Sequence, residues 1–194
     1  MLKARTQAYY WRVYHERYGL TPTQGLLMGQ DATGLSGSYT HDAYGGIDFV
    51  SDDLIGFGSA SPNHFNGTNR SNEDYVAYCW AEIDGYSKFG TFLGNQAADG
   101  TYVYLGFKPA LIILKRVDSN GNWVMLDSAR TPINPAYGYL RGTHGGGEET
   151  ANPIVDFTSN GFKLRNSWTD INADGQPIIF AAWAESPFQT ANAK

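Results

Sequence analysis

Short apolar stretches separated by turn-forming residues run along most of this chain, and they predict strands. Residues 111–114 are Leu-Ile-Ile-Leu, an uninterrupted β-favouring run that predicts a fully buried strand. Asp118-Ser-Asn-Gly121 then predicts a hairpin turn, because Asn-Gly accepts positive φ, and residues 123–126 predict the returning strand. Further strands are predicted over 75–80, 102–105, 162–164 and 178–183. The pattern is that of an all-β protein.

The second half of the chain repeats the pattern of the first half in the same order. Leu2-Lys3 is followed by Trp11, and Leu114-Lys115 is followed by Trp123 at the same spacing. The other matches join 25–29 to 138–142, 48–52 to 156–160, and 78–82 to 181–185. The paired positions interpreted as structural are Trp11 with Trp123, Trp80 with Trp183, and Glu82 with Glu185. The ordered matches predict a tandem duplication, with the four tryptophans in the core.

Two such units predict an all-β fold, a jelly-roll-like β-sandwich built from two tandem duplicated strand-rich units. The first unit is expected to span residues 1–88 and the second unit residues 89–194. The connector 83–90 is short and is not a Pro/Gly/Ser linker, so the two units are expected to pack closely.

Composition supports strands over helices and narrows the possible partners. Charged residues are 17 % of the chain, beside 23 glycines and 14 % aromatics, whereas a helical bundle needs more charge on its solvated faces. The net charge of −5, without a Lys/Arg cluster, argues against nucleic-acid binding. Cys79 lies in an apolar run and is interpreted as a buried structural thiol. Without a secretory signal or an apolar stretch of about 18 residues, a soluble protein made in a cytoplasm, with no membrane insertion, is expected.

No catalytic arrangement stands out in the sequence, and no enzymatic activity is expected. The four histidines lack metal-ligand spacing. Glu82 and Glu185 occupy equivalent repeat positions, which indicates a structural role rather than the acid/base pair of a glycosidase. Residues 118–122 and 172–175 offer oxygen ligands for calcium, but turn hydrogen bonds explain them without an ion. The favoured interpretation is therefore a protein without a cofactor.

Aromatic residues without a repeat partner are the candidate binding contacts, because loops on a rigid scaffold usually carry recognition. They are Tyr39, Tyr44, Phe65, Tyr137 and Trp168. If the protein is instead a binding module, the loops 31–46 and 138–152 are the expected sites of contact with a glycan. Local packing is the alternative role for each of these side chains.

A series of motifs that covers nearly the whole chain resembles a known family. The motifs include Tyr78-Cys-Trp-Ala-Glu-Ile-Asp-Gly-Tyr-Ser-Lys-Phe-Gly90, Gly106-Phe-Lys-Pro109, Leu126-Asp-Ser-Ala-Arg130, Ser159-Asn-Gly-Phe-Lys-Leu164 and Trp183-Ala-Glu-Ser-Pro-Phe188. The series is similar to a repeat domain of the virion and tail-fibre-type structural proteins of tailed phages. The resemblance implies a virion-surface protein, a decoration or small appendage subunit, that assembles with itself and with other virion proteins. The alternatives are a receptor- or glycan-binding module of a tail fibre and, more distantly, a polysaccharide-active enzyme.

The chain departs from the pattern of this family at its beginning. Family members carry a Gly-rich strand segment, equivalent to residues 89–109 here, before the first Leu-Lys strand, whereas this chain opens with Met1-Leu2-Lys3. Either the first unit lacks its first strand or further residues precede it. A missing strand would leave an edge that another subunit could fill by strand addition.

Overall fold

The computed structural model describes residues 1–6, 8, 11–16, 26–28, 47–50, 54–57, 70–119, 121–142 and 146–187. The chain forms two compact units, Met1–Trp80 and Ala81–Lys194. The boundary expected after residue 88 lies inside a strand of the second unit, which spans Ser87–Leu93. Within the described ranges, no helix is long and apolar enough to cross a membrane.

The described part of the first unit consists of short antiparallel strands. They are β1 (Leu2–Ala4), β2 (Trp11–Val13), β3 (Leu26–Met28), β4 (Ile47–Val50), β5 (Ile55–Phe57) and β6 (Tyr75–Ala77). Four of them form a sheet in the order β3-β2-β1-β6, and β4 pairs with β5. Strand β1 buries Leu2 and Ala4 and leaves Lys3 half-buried, because successive side chains of a strand point to opposite faces.

The second unit contains longer strands arranged in two sheets. Its elements are β7 (Ser87–Leu93), β8 (Tyr102–Tyr104), β9 (Pro109–Arg116), β10 (Trp123–Asp127), β11 (Leu140–Arg141), β12 (Val155–Thr158), β13 (Gly161–Leu164), the short helix α1 (Thr169–Asn172) and β14 (Pro177–Ala184). The larger sheet has the order β11-β10-β9-β14-β7, and the smaller one has the order β12-β13-β8. All the pairs are antiparallel. The predicted all-β sandwich class is therefore confirmed.

The core of the second unit is contributed by both of its sheets. Strand β9 buries Ile112 and Leu114 completely, and β13 of the smaller sheet buries Phe162 completely, within one apolar cluster. The predicted full burial of residues 111–114 is wrong for Leu111 and Ile113, which are only half-buried. The smaller sheet covers one face of the larger sheet, so alternate residues of β9 lie on the other face.

The expected core placement of the repeat tryptophans holds only in part. Trp123 is buried, and Trp11 and Trp183 are half-buried, whereas Trp80 is 47 % exposed. The prediction for Trp80 is wrong because β6 ends at Ala77, and the Trp80 ring instead stacks on Tyr78 with centroids 6.1 Å apart. The predicted burial of Cys79 is wrong for the same reason, and its thiol is exposed.

The strands that carry the sequence matches pair in the same way in the two units. The order β3-β2-β1-β6 in the first unit corresponds to β11-β10-β9-β14 in the second. Leu2 lies opposite Arg12 and Ala77, and Leu114 lies opposite Val124 and Phe180. The internal sequence match of the two halves pairs Leu2 with Leu114, Arg12 with Val124 and Ala77 with Phe180. The register of the central strands therefore agrees with the sequence match.

Candidate functional site

An open depression in the second unit is the candidate site. It has a volume of about 280 Å³ and is lined by Gly85, Gly106, Phe107, Lys108, Ser159, Glu185 and Ser186. These residues come from four separate stretches of the chain, each at a turn or just beyond the end of a strand. Together with Tyr104, whose ring lies beside the lining residue Gly106, we call this set the Tyr104 pocket.

Backbone geometry fixes the walls of the Tyr104 pocket. Gly85 and Gly106 have φ of 70° and 87°, a region that side chains other than glycine rarely adopt, so the two turns can bend sharply here. The amides of Leu105 and Gly106 donate to the carbonyl of Asn160, at 2.9 and 3.1 Å. The Glu185 amide donates to the carbonyl of Lys108 at 2.9 Å. The pocket is therefore preformed by main-chain contacts.

The polar groups of the pocket are one ion pair and two serines. Lys108 Nζ lies 2.7 Å from Glu185 Oε2, and the two side chains are 48 % and 44 % exposed. Such an exposed pair contributes little to stability because water screens it. Phe107 is buried and belongs to the core, so its packing holds this wall of the pocket in place. A ligand can therefore contact this ion pair without a large loss of folding stability.

Two exposed tyrosines of β8 adjoin the pocket. Tyr104 is 59 % exposed and Tyr102 43 % exposed, while Val103 between them points into the core. The Tyr102 hydroxyl donates to Asn160 Oδ1 at 2.6 Å, and Lys88 Nζ lies 5.5 Å from the centroid of the Tyr104 ring. A Cβ atom added at Gly106 would lie 3.8 Å from the Tyr104 hydroxyl, so this ring lies beside a residue that lines the pocket.

A charged network lies beside β8 on the smaller sheet. Asp99 binds Lys163 at 3.0 Å and Arg165 at 2.8 Å, and Arg165 also binds Asp156 at 2.6 Å. The hydrogen bond from Lys163 is the main cause that lowers the pKa of Asp99. Tyr102 is the strand partner of Lys163, so the network continues the polar surface beyond the tyrosines.

In the first loop considered for calcium, residues 118–122, cationic side chains of the protein contact the described oxygens. Arg116 donates to both carboxylate oxygens of Asp118, at 2.6 and 2.8 Å. The fully buried Lys115 donates from Nζ to the carbonyl of Gly121 at 2.9 Å. Burial lowers the pKa of Lys115 to about 8, and the nearby carboxylate of Asp170 opposes this effect. The loop oxygens therefore face ammonium and guanidinium groups.

The second loop considered for calcium, residues 172–175, is held by the side chain of Asn172. Its Oδ1 accepts from the amide of Asn95 at 2.9 Å, and its Nδ2 donates to the carbonyls of Ala97 and Asn166. In the part of the chain that the structure describes, no three His, Cys, Asp or Glu side chains lie together as a metal site.

Neither of the two sequence-predicted contacts that the structure describes, Tyr137 and Trp168, lines the pocket. Tyr137 is 41 % exposed but does not line it, and Trp168 is half-buried against the core. Trp168 packs 5.4 Å from the ring of Tyr139, with the Arg141 guanidinium 5.5 Å from its centroid. Tyr39, Tyr44, Phe65 and the whole 31–46 loop lie outside the described residues.

An ion pair between Arg141 and Glu149 holds the described part of the 138–152 loop in place. Arg141 binds Glu149 through two contacts of 2.7 Å, and the Tyr139 hydroxyl donates to Glu149 Oε2 at 2.8 Å. Burial is the main cause that raises the pKa of Tyr139. These contacts fix the loop onto the sheet, which is a structural role.

Tyr102, Tyr104 and Lys108 were missed as candidate contacts by the sequence reasoning. A usable signal was present, since Tyr-Val-Tyr in a predicted strand puts both rings on one face and the valine on the other. The pairing of Lys108 with Glu185, 77 residues apart, has no local signal, and the pocket became visible only in three dimensions.

Comparison with known proteins gives a family but no individual relative. No curated protein and no solved structure matches the chain. A family model with the description "Domain of unknown function (DUF7483)" matches residues 1–187. Because the match spans nearly the entire sequence, the chain belongs to the DUF7483 family.

Proposed function

We propose that this chain is a non-enzymatic structural protein of a tailed-phage virion surface, either a decoration or a small appendage subunit. The observation that carries the proposal is a set of large apolar side chains exposed on regular strands. Leu93 of β7 is 60 % exposed, and Tyr104 and Tyr102 stand on β8. Large side chains exposed on a rigid scaffold suit contact with other proteins. The partners proposed are further copies of this chain and other virion proteins.

The virion location is supported by the resemblance of the motif series to structural repeats of tailed phages. The motif residues also contribute to the scaffold. Ser159, Asn160 and Glu185 form turns or pair with neighbouring strands, while Leu126 and Phe162 are buried. Such motifs suit a protein that acts through its shape and its contacts.

We also propose that the two units arose by tandem duplication. The support is the shared strand order and the shared register around Leu2 and Leu114. A duplicated scaffold presents two related surfaces in one subunit, which suits a protein that coats or extends a particle.

The test of this function is the protein composition of purified particles. Quantitative mass spectrometry should find this chain in particles that have been banded by density and washed at high salt. A copy number that approaches that of the major shell protein would indicate decoration, and a few copies per particle would indicate an appendage. Absence of the chain from banded particles would overturn the proposal.

The second candidate function is that of a receptor- or glycan-binding module of a tail fibre. The observation that favours it is the Tyr104 pocket, where exposed aromatic rings and hydrogen-bonding groups lie around one depression.

A further inference from the structure

We infer that the Tyr104 pocket binds a saccharide, with Lys108 and Glu185 holding two neighbouring hydroxyl groups and Tyr104 contacting the sugar ring. This inference rests on the second of the two functions proposed above. It places the ligand site on four turns of the second unit, and none of the residues that line it belongs to the segments 31–46 and 138–152.

The size and shape of the pocket suit a small polar ligand. Its volume of about 280 Å³ lies just below the range of roughly 300–1,000 Å³ that is typical of sites for drug-sized molecules. The walls are turns held by main-chain hydrogen bonds, so little ordering accompanies binding. One sugar residue of a longer glycan fits this description.

The ion pair matches the chemistry of adjacent hydroxyl groups. The Lys108 ammonium only donates and the ionised Glu185 carboxylate only accepts, whereas each hydroxyl of a sugar does both. With Nζ and Oε2 only 2.7 Å apart, one hydroxyl can accept from Lys108 while its neighbour donates to Glu185. Both are charge-assisted hydrogen bonds, which are stronger than neutral ones. The two charges cancel, so the site favours an uncharged, hydroxyl-rich ligand over an anion.

The tyrosine supplies the apolar part of recognition. A sugar ring has apolar C–H faces, and an amphipathic aromatic side chain packs against such a face while its hydroxyl stays in water. Tyr104 is more than half exposed beside Gly106, where no side chain intervenes. The hydrogen bond from Tyr102 to Asn160 holds the neighbouring ring in place, which keeps this surface rigid.

The experiment has two steps on the full chain. A glycan array identifies a binding saccharide, and its methyl glycoside is then titrated into ¹⁵N-labelled protein up to about 10 mM. The amide signals of Gly85, Gly106 and Ser186 should shift in a saturable way. Tyr104→Ala should weaken binding about tenfold, which corresponds to the loss of roughly one aromatic contact. Glu185→Gln should weaken binding as well, because it removes the charge that accepts the hydrogen bond.

Ile133→Ala is the control, since Ile133 is an exposed apolar residue of the same unit and does not line the pocket. It should bind as the unmodified protein does. No binding on the array, saturable shifts confined to other residues, or an equal effect of Tyr104→Ala and Ile133→Ala would each overturn the inference. A negative result here leaves the structural virion role intact, because that role is tested on particles and not with sugars.

Discussion

Leu114 of β9 lies directly opposite Phe180 of β14, at the centre of the larger sheet of the second unit. Leu2 lies opposite Ala77 in the first unit, at the position that the sequence alignment equates with it. Leu114 is completely buried and Phe180 is 5 % exposed, so this pair joins two adjacent strands to the core. The central strands are thus the part of the fold in which sequence repeat and strand register agree most closely.

Truncation of Leu114 should destabilise the second unit strongly. Leu114→Ala is expected to lower the free energy of unfolding by about 2–5 kcal/mol, because it leaves a cavity in a close-packed core. Leu93→Ala is the matched control in the same sheet, and it should change this free energy by no more than about 0.5 kcal/mol since Leu93 is mostly exposed. Urea denaturation measures both variants, and equal effects would contradict the sandwich core described here.

Stability should rise with pH in the range where the folded protein loses the Lys115 proton. The pKa of Lys115 is about 8 in the folded protein, whereas an unfolded lysine has a pKa of about 10.4. Between these values the unfolded chain binds more protons, so the free energy of unfolding increases with pH, by at most about 3 kcal/mol. Other groups also titrate in this range, and Lys115→Met isolates the effect because it removes only this proton.

The comparison is made by urea denaturation at several pH values from 7 to 10.5. The unmodified protein should gain stability relative to Lys115→Met as the pH passes through about 8 and continues towards 10. Parallel profiles for the two proteins would show that the ammonium is not held in a desolvated position.

The two adjacent glutamates of the 138–152 loop should differ in their contribution to stability. Glu149→Ala removes the partner of both Tyr139 and Arg141 and should cost about 1–2 kcal/mol of unfolding free energy. Glu148→Ala removes only a 3.3 Å contact with Arg130 at an exposed site and should cost less than about 0.5 kcal/mol. Thermal unfolding of the two variants side by side measures the difference. A larger loss for Glu148→Ala would contradict the structural role given to Glu149.

The sequence predicted the parts of the fold that local pattern controls. The run at 111–114, the turn that begins at Asp118 and the strand that starts at Trp123 predicted the β9–β10 hairpin, and these strands pair antiparallel. The exposure of Trp80 was not predictable in this way, because an apolar run does not show where its strand ends. That limit is set by the pairing with β1, whose last strand pair is Leu2 with Ala77 and which ends at the backbone hydrogen bonds between Met1 and Tyr78.

The candidate site was harder to predict than the fold. Its residues come from turns near 85, 106, 159 and 185, and their proximity depends on two sheets stacking together. Sequence reasoning instead chose aromatic residues without a repeat partner, and Trp168 among them packs against the core. The internal sequence match treated Glu82 and Glu185 as equivalent structural positions. It gave no sign that Glu185 pairs with Lys108 at the pocket.

Immunogold labelling of intact particles tests the central claim most directly. An antibody raised against this chain should label the surface of purified virions, over the head for a decoration protein or along the tail for an appendage. Label at the distal tip of the tail would favour the glycan-binding alternative. Intact particles that remain unlabelled, while the same antibody detects the chain in infected-cell lysate, would contradict the assignment to the virion surface.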